Sequence, residues 1–183
     1  KLNLPTGKFI LLFFGFIREY KGLDLLLKAL AMLPDEFHLV VAGETYSSFD
    51  KYSQLVRDLQ LESRISFFVR YIPDWEVPLF FSSADLCVLP YKSATQSGIV
   101  GISYHFDLPI VATNVGSLAE MLEPFGSGLI APSPTPESIA QTIMEFAQNP
   151  KNQFIEGIQK YKAIANWDYF ANRLIESYRN LKV

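Results

Sequence analysis

The chain has 183 residues, enough for one sizeable core and a better fit to a single domain than to two. At 49% apolar and 19% charged it is globular and not disordered. A net charge of -3 offers no general basic field for nucleic acid, so any basic patch must be local.

Phe9 to Gly15, FILLFFG, is a continuous apolar run ending in Gly, the pattern of a strand covered on both faces in a parallel sheet. After FIREYKG, residues Leu23, Leu26, Leu27, Leu30 and Leu33 recur at helical spacing until Pro34 stops them. Phe37 to Gly43 repeats the strand-to-Gly pattern. Tyr52, Leu55, Val56 and Leu59 mark a second helix, and Ile65 to Val69 a third strand. In WEVPLFFSSA, Pro78 confines a short helix to beginning there or kinking there. Asp85 to Leu89 reads as the fourth strand and Pro109 to Thr113 as the fifth, joined by a polar loop and a helix beginning at Ser97-Gly98. Gly126 and Gly128 punctuate a turn before a short strand, Leu129 to Ala131. Thr135-Pro136-Glu137 supplies an N-cap, a Pro at the first helical position and a dipole-compatible acid for a helix to about Gln148. Two more helices, near 151–165 and 167–181, close the chain.

Alternating buried strands and amphipathic helices predict a doubly wound, mostly parallel, Rossmann-like α/β sheet of about six strands. Such sheets bind ligands beyond the carboxyl ends of the strands, where the strand order reverses. With order 3-2-1-4-5-6 the reversal falls between the first and fourth strands. That makes FIREYKG and PYKSATQSG neighbours.

Those two loops hold the candidate chemistry. Arg18 and Lys21 supply cations after the first strand. Across from them, Ser97, Gly98 and the free N–H groups of a helix N-terminus form a setting for an anion. A pyrophosphate between them would be met by charge-assisted hydrogen bonds, although Arg18, Glu19 and Lys21 could also form a solvated charged turn. Glu120, after the fifth strand, could accept hydrogen bonds from sugar hydroxyls. Tyr71 and Trp75 could stack on a base, in a chain whose many aromatics must mostly be core.

Other signals point to structure. Thr6-Gly7-Lys8 precedes the first strand and lacks the upstream Gly of a phosphate loop. No G-x-G-x-x-G follows a strand. His38 reads as a structural residue within a strand, Asp85 as a strand starter and Glu44 as an exposed acid. His105 has no metal-ligand partner at suitable spacing, and no metal is expected. Cys87, in DLCVLP, reads as a buried hydrophobe and fits a cytosolic protein. No apolar run reaches the ~18 to 20 residues of a membrane span, and Lys1 begins no signal peptide. A start without Met reads as a piece of a longer protein.

The segments LLFFGFIREYKGLDLLLKAL, FHLVVAGE, FFVRYIPDWEVPLFFSSADLCVLPY, LPIVATNVGSLAEML and GSGLIAPSPTPESIAQTI, in that order, resemble the C-terminal, donor-binding half of GT-B glycosyltransferases of the retaining family 4 (group 1) type. The resemblance covers nearly the whole chain. It implies transfer of a glycosyl group, of hexosyl type, from a nucleotide diphosphate sugar of UDP or GDP type, with no tightly bound cofactor and no metal. It implies that Arg18 and Lys21 bind the donor diphosphate, that the 93–98 loop, with Thr95, Gln96, Ser97 and Gly98, and the helix after it close over phosphate and sugar, that Tyr71 and Ile72 lie near the base, and that Gly15 belongs to the same donor site. The two glutamates usual in the family fall on Ala94 and Ile102 here, and the loop resembles a TQSG variant. Phe16 occupies the place of the family Arg after the first strand's Gly, with Arg18 two residues on.

The resemblance also implies a missing N-terminal domain that contacts a glycan or lipid-linked acceptor. The 167–181 helix could pack against that domain. The isolated domain is then expected to be inactive, cytoplasmic, and open to peripheral contact with the inner face of a membrane through the missing part. Two other classes stand beside this: a noncatalytic GT-B-like docking module, for which the losses at Ala94 and Ile102 speak, and an epimerase-like nucleotide-sugar domain. Nucleic acid is not an expected partner.

Overall fold

A computed structural model describes residues 2–149 and 151–181. Lys1, on which the reading of the chain's start rests, lies outside them, as do 150, 182 and 183. Among the described residues, six strands form one sheet: β1 (Phe9–Phe14), β2 (Phe37–Ala42), β3 (Ile65–Phe68), β4 (Leu86–Leu89), β5 (Ile110–Thr113) and β6 (Gly128–Ala131). Every pairing is parallel and the order is β3-β2-β1-β4-β5-β6. The α-helices are α1 (Leu23–Met32), α2 (Asp50–Asp58), α3 (Val77–Ser82), α4 (Gly98–His105), α5 (Leu118–Leu122), α6 (Pro136–Gln148), α7 (Lys151–Ile164) and α8 (Trp167–Asn180).

The continuous apolar runs follow from the two covered faces. Along β1, Leu11 and Phe13 pack into the layer of α1, α2 and α6, while Ile10, Leu12 and Phe14 pack into the layer of α3, α4 and α5. With both faces buried, an alternating polar residue would have no water to meet, so the run must be apolar throughout. Full burial of a side chain such as Phe13 contributes roughly 1.5–3 kcal/mol relative to exposure.

Several local expectations hold. Ser97 caps α4 and Thr135 caps α6, each accepting a backbone N–H, and Pro78 sits in the first turn of α3. Asp85 anchors its strand: its carboxylate accepts the Ile10 N–H at 2.8 Å and its own N–H donates to the Ile10 carbonyl. His38 is buried in β2 against the Ser66 hydroxyl at 2.9 Å, and burial first, then nearby Lys8 and Arg64, lower its pKa. Burial pushes the Cys87 thiol up to about 12, which leaves it an inert core residue.

Periodicity alone did not show α5 or the single 3-10 turns at Glu19–Lys21, Glu62–Arg64 and Glu123–Phe125, because each is a turn or so long. The turn at Glu19–Lys21 leads into α1, which starts at Leu23. At the far end, every described residue of α8 is exposed, including Trp167, Phe170, Leu174 and Tyr178.

Candidate functional site

β1 and β4 pair at Leu11–Leu86 and Leu12–Cys87, and the chains leaving them open a crevice at the reversal of strand order. The loop after β1 and the loop after β4 are fastened across it. The Lys92 N–H donates to the Tyr20 carbonyl at 2.7 Å, and the Lys92 ammonium donates to Asp24 at 2.8 Å. Gly22 permits the approach. Its φ of 69° is left-handed, and a Cβ there would stand 1.9 Å from the Pro90 carbonyl oxygen.

A cavity of about 640 Å³ lies in the crevice, lined by Tyr20, Lys21, Tyr91, Ile102 and the whole 93–99 segment. No aspartate or glutamate is among its lining residues. Lys21 is only 9% exposed, and no hydrogen bond or ion pair of its ammonium occurs among the described residues. Burial, and secondarily the charge of Arg18, lower the Lys21 pKa from 10.5. The ammonium sits beside Gly15, where an added Cβ would lie 3.1 Å from it. An excess positive charge at the N-terminus of an eight-residue helix, in a cavity without acids, favours an anion.

The 93–98 segment is itself held from behind. The Thr95 carbonyl accepts both the Ser117 N–H at 3.0 Å and the Ser117 hydroxyl at 2.7 Å. Ser97 is buried, and its oxygen accepts the Ile99 N–H at 3.3 Å while sharing a 3.0 Å hydrogen bond with the Tyr91 hydroxyl.

A second cavity of about 250 Å³ adjoins the first and shares Lys21 and Ile99 with it. Its walls include Gly15, Phe16, Glu44, Tyr71 and Ile72. Lys21, Thr95, Gln96, Ser97 and Gly98 thus line one space, and Gly15, Tyr71 and Ile72 the next. Arg18 lines neither: its guanidinium lies 5.5 Å over the Phe16 ring, in a separate depression with Ile17, Glu19, Tyr46 and Ser47. Glu120 is exposed on α5 and also lines neither cavity, while Trp75 is 75% exposed. Ala94 and Ile102 both face the larger cavity.

Tyr91 and Ser117 were not singled out from the sequence. A Tyr directly after an apolar strand looks like core, and a Ser beside Gly116 looks like an ordinary turn. Among the described residues no group of three His, Cys, Asp or Glu side chains is placed to hold a metal ion. None of the helices is long and apolar enough to cross a membrane, again among the described residues.

A doubly wound parallel sheet with a largely buried lysine and a helix N-terminus at its switch point defines a Rossmann-like α/β domain. Residues 1–161 match the family described as Glycosyl transferases group 1, and the chain belongs to that family. Over 194 aligned residues it is 27% identical to the D-inositol 3-phosphate glycosyltransferase of Thermomonospora curvata, covering 100% of this chain and 45% of that protein. Sucrose-phosphate synthase from Thermosynechococcus elongatus superposes with a TM-score of 0.80 at 24% identity, covering 98% of this chain and 47% of that one. Anabaena Alr3699/HepE in complex with UDP-glucose superposes with a TM-score of 0.75 at 20% identity, covering 94% and 49%. The sheet is that of a GT-B glycosyltransferase C-terminal domain. This chain spans about half the length of these relatives.

Proposed function

We propose that this domain binds the nucleotide diphosphate sugar donor, of UDP or GDP type, of a retaining glycosyltransferase. The observation that carries the reading is Lys21: a largely buried lysine, without an acidic partner among the described residues, that faces a cavity lined by no carboxylate. The diphosphate takes the larger cavity, between Lys21 and the N–H groups at the start of α4. The base takes the adjoining one, against Tyr71 and Ile72 and over Gly15. Support comes from the UDP-glucose bound by the Anabaena protein of the same fold.

In transfer, the bond from the anomeric carbon to the diphosphate oxygen breaks and negative charge grows on the leaving group. Lys21 and the α4 dipole, fixed before the reaction begins, stabilise that charge. Arg18, close enough to depress the Lys21 pKa, adds a second positive charge from outside the cavity. Thr95 and Gln96 are left as neutral partners for sugar hydroxyls, since Ala94 and Ile102 offer no carboxylate. Glu120 has no role in this arrangement. An N-terminal domain supplies the acceptor contacts for a glycan or lipid-linked acceptor, and α8 presents its apolar residues to that domain. The isolated domain then binds donor without transferring hexose.

Calorimetric titration of the chain with UDP, GDP, UDP-glucose and GDP-mannose tests the reading. One nucleotide series is expected to bind, with the free nucleoside much weaker than its diphosphate. Absence of binding by all four would sink it. Retention is read separately, from the anomeric configuration of the product by NMR using the longer protein.

A further inference from the structure

Tyr91 lines the larger cavity, is 2% exposed, and touches both sides of the crevice. The Lys21 ammonium lies 5.7 Å from its ring centroid, within reach of a cation–π contact. Its hydroxyl meets the Ser97 hydroxyl at 3.0 Å. Tyr20, from the β1 loop, packs edge-on against the same ring at 6.2 Å. The Tyr91 carbonyl accepts the buried Thr113 hydroxyl at 2.6 Å, so its backbone is anchored to β5 as well.

The consequence lies in the direction of one proton. A serine oxygen accepts two hydrogen bonds and donates one. The Ile99 N–H already occupies one acceptor position of Ser97. If the phenol donates into the other, the serine proton is left to point into the cavity that Ser97 lines. If the serine donates to the phenol instead, Ser97 shows the cavity no proton. An anion selects the first arrangement, because only that one offers it a donor. Burial pushes the Tyr91 phenol up to about 12, so it keeps the proton it must give.

We infer that Tyr91 is a positioning residue for a bound diphosphate: its hydroxyl turns the Ser97 proton into the cavity, and its ring holds the Lys21 ammonium beside the same space. The inference rests on the diphosphate reading of that cavity. It adds a residue that acts through Ser97 and Lys21.

The test compares UDP and uridine binding by calorimetry for the unsubstituted chain, Tyr91→Phe, Ser97→Ala and the double variant. Tyr91→Phe keeps the ring and loses the hydroxyl, so UDP affinity is expected to fall about three- to tenfold, the worth of one neutral hydrogen bond. Uridine affinity is expected to stay the same. The double variant should bind UDP no more weakly than Ser97→Ala, since the phenol acts through Ser97. Additive losses, or equal losses for UDP and uridine, would count against the inference. The 13Cζ resonance of Tyr91 in the unsubstituted chain is a readout that no folding defect can blur. It should move with UDP and not with uridine, and a resonance indifferent to both overturns the proposed proton direction. If the unsubstituted chain binds no nucleoside diphosphate or diphosphate sugar, the cavity reading falls and takes this inference with it. UDP binding that Tyr91→Phe leaves intact overturns the inference alone.

Discussion

Replacing Lys21 by Met separates what this residue does for the fold from what it does for a ligand. Met is unbranched and close in length, so it fills the space beside Gly15 and Ile99 while removing the charge. A hydrogen bond to a charged group contributes about 1.5–3 kcal/mol. The bare Coulomb attraction of unit charges 4 Å apart is about 4 kcal/mol at an effective dielectric of 20, which sets an upper bound. A loss of about 2–3 kcal/mol, or roughly 30- to 150-fold in UDP affinity, is therefore expected. Uridine, with no phosphate, should bind as before.

Stability should move the other way. Burial of the Lys21 side chain, with no acidic partner among the described residues, disfavours its charged form, so the Met variant should melt at the same temperature or higher, by about 2–4 °C for each kcal/mol gained. Calorimetric titration and differential scanning calorimetry read the two effects independently. UDP affinity within about threefold of the unsubstituted chain would refute the ligand role. A melting temperature several degrees lower would show that Lys21 is a structural prop instead.

Gly22→Ala places a Cβ 1.9 Å from the Pro90 carbonyl oxygen at a left-handed backbone position, so a loss of at least about 2 kcal/mol is expected in urea unfolding. A stability close to that of the unsubstituted chain would mean that the two loops are not held that closely. Lys21 also sets a pH signature. Between its lowered pKa and 10.5 the unfolded chain binds the proton that the folded chain has released, so stability contributed by this group rises with pH across that window. UDP affinity falls over the same window as the ammonium is lost, and Lys21→Met should flatten both trends. For α8, whose described residues are all exposed, amide exchange should be far faster than in β1. Exchange as slow as in the central strand would contradict the view that this helix lacks its partner.

The frame was readable because parallel strands covered on both faces leave an unmistakable record in composition. FILLFF and FHLVVA are apolar at every position but His38, and each ends at a Gly where the chain must turn away from the sheet. The crevice followed from topology, so Lys21 and the 95–98 segment could be paired before any distance was known. Side-chain direction was not readable. Arg18 and Lys21 are three residues apart and carry the same charge, yet one lies over Phe16 and the other is buried against Gly15. The difference is made by one 3-10 turn too short to leave a periodic trace. Glu120 was placed on the correct side of β5, but five residues of helix hold it exposed. Tyr91 was hidden for a different reason: its role depends on a serine six positions on and a lysine from another loop.

Alongside the Lys92–Asp24 and Tyr91–Ser97 side-chain contacts, the loop after β4 is fixed in place through its own main chain. The Lys92 N–H reaches the Tyr20 carbonyl, the Thr95 carbonyl receives Ser117, and Gly116 lies so close to the Ala94 carbonyl that a Cβ there would stand 2.0 Å from its oxygen. None of these fastenings consults the side chains of Ser93, Ala94 or Gln96. Ala94 packs against the core, whereas Ser93 and Gln96 are exposed, so on the donor-site proposal a library confined to Ser93 and Gln96 is expected to explore ligand preference at little risk to the backbone that presents them.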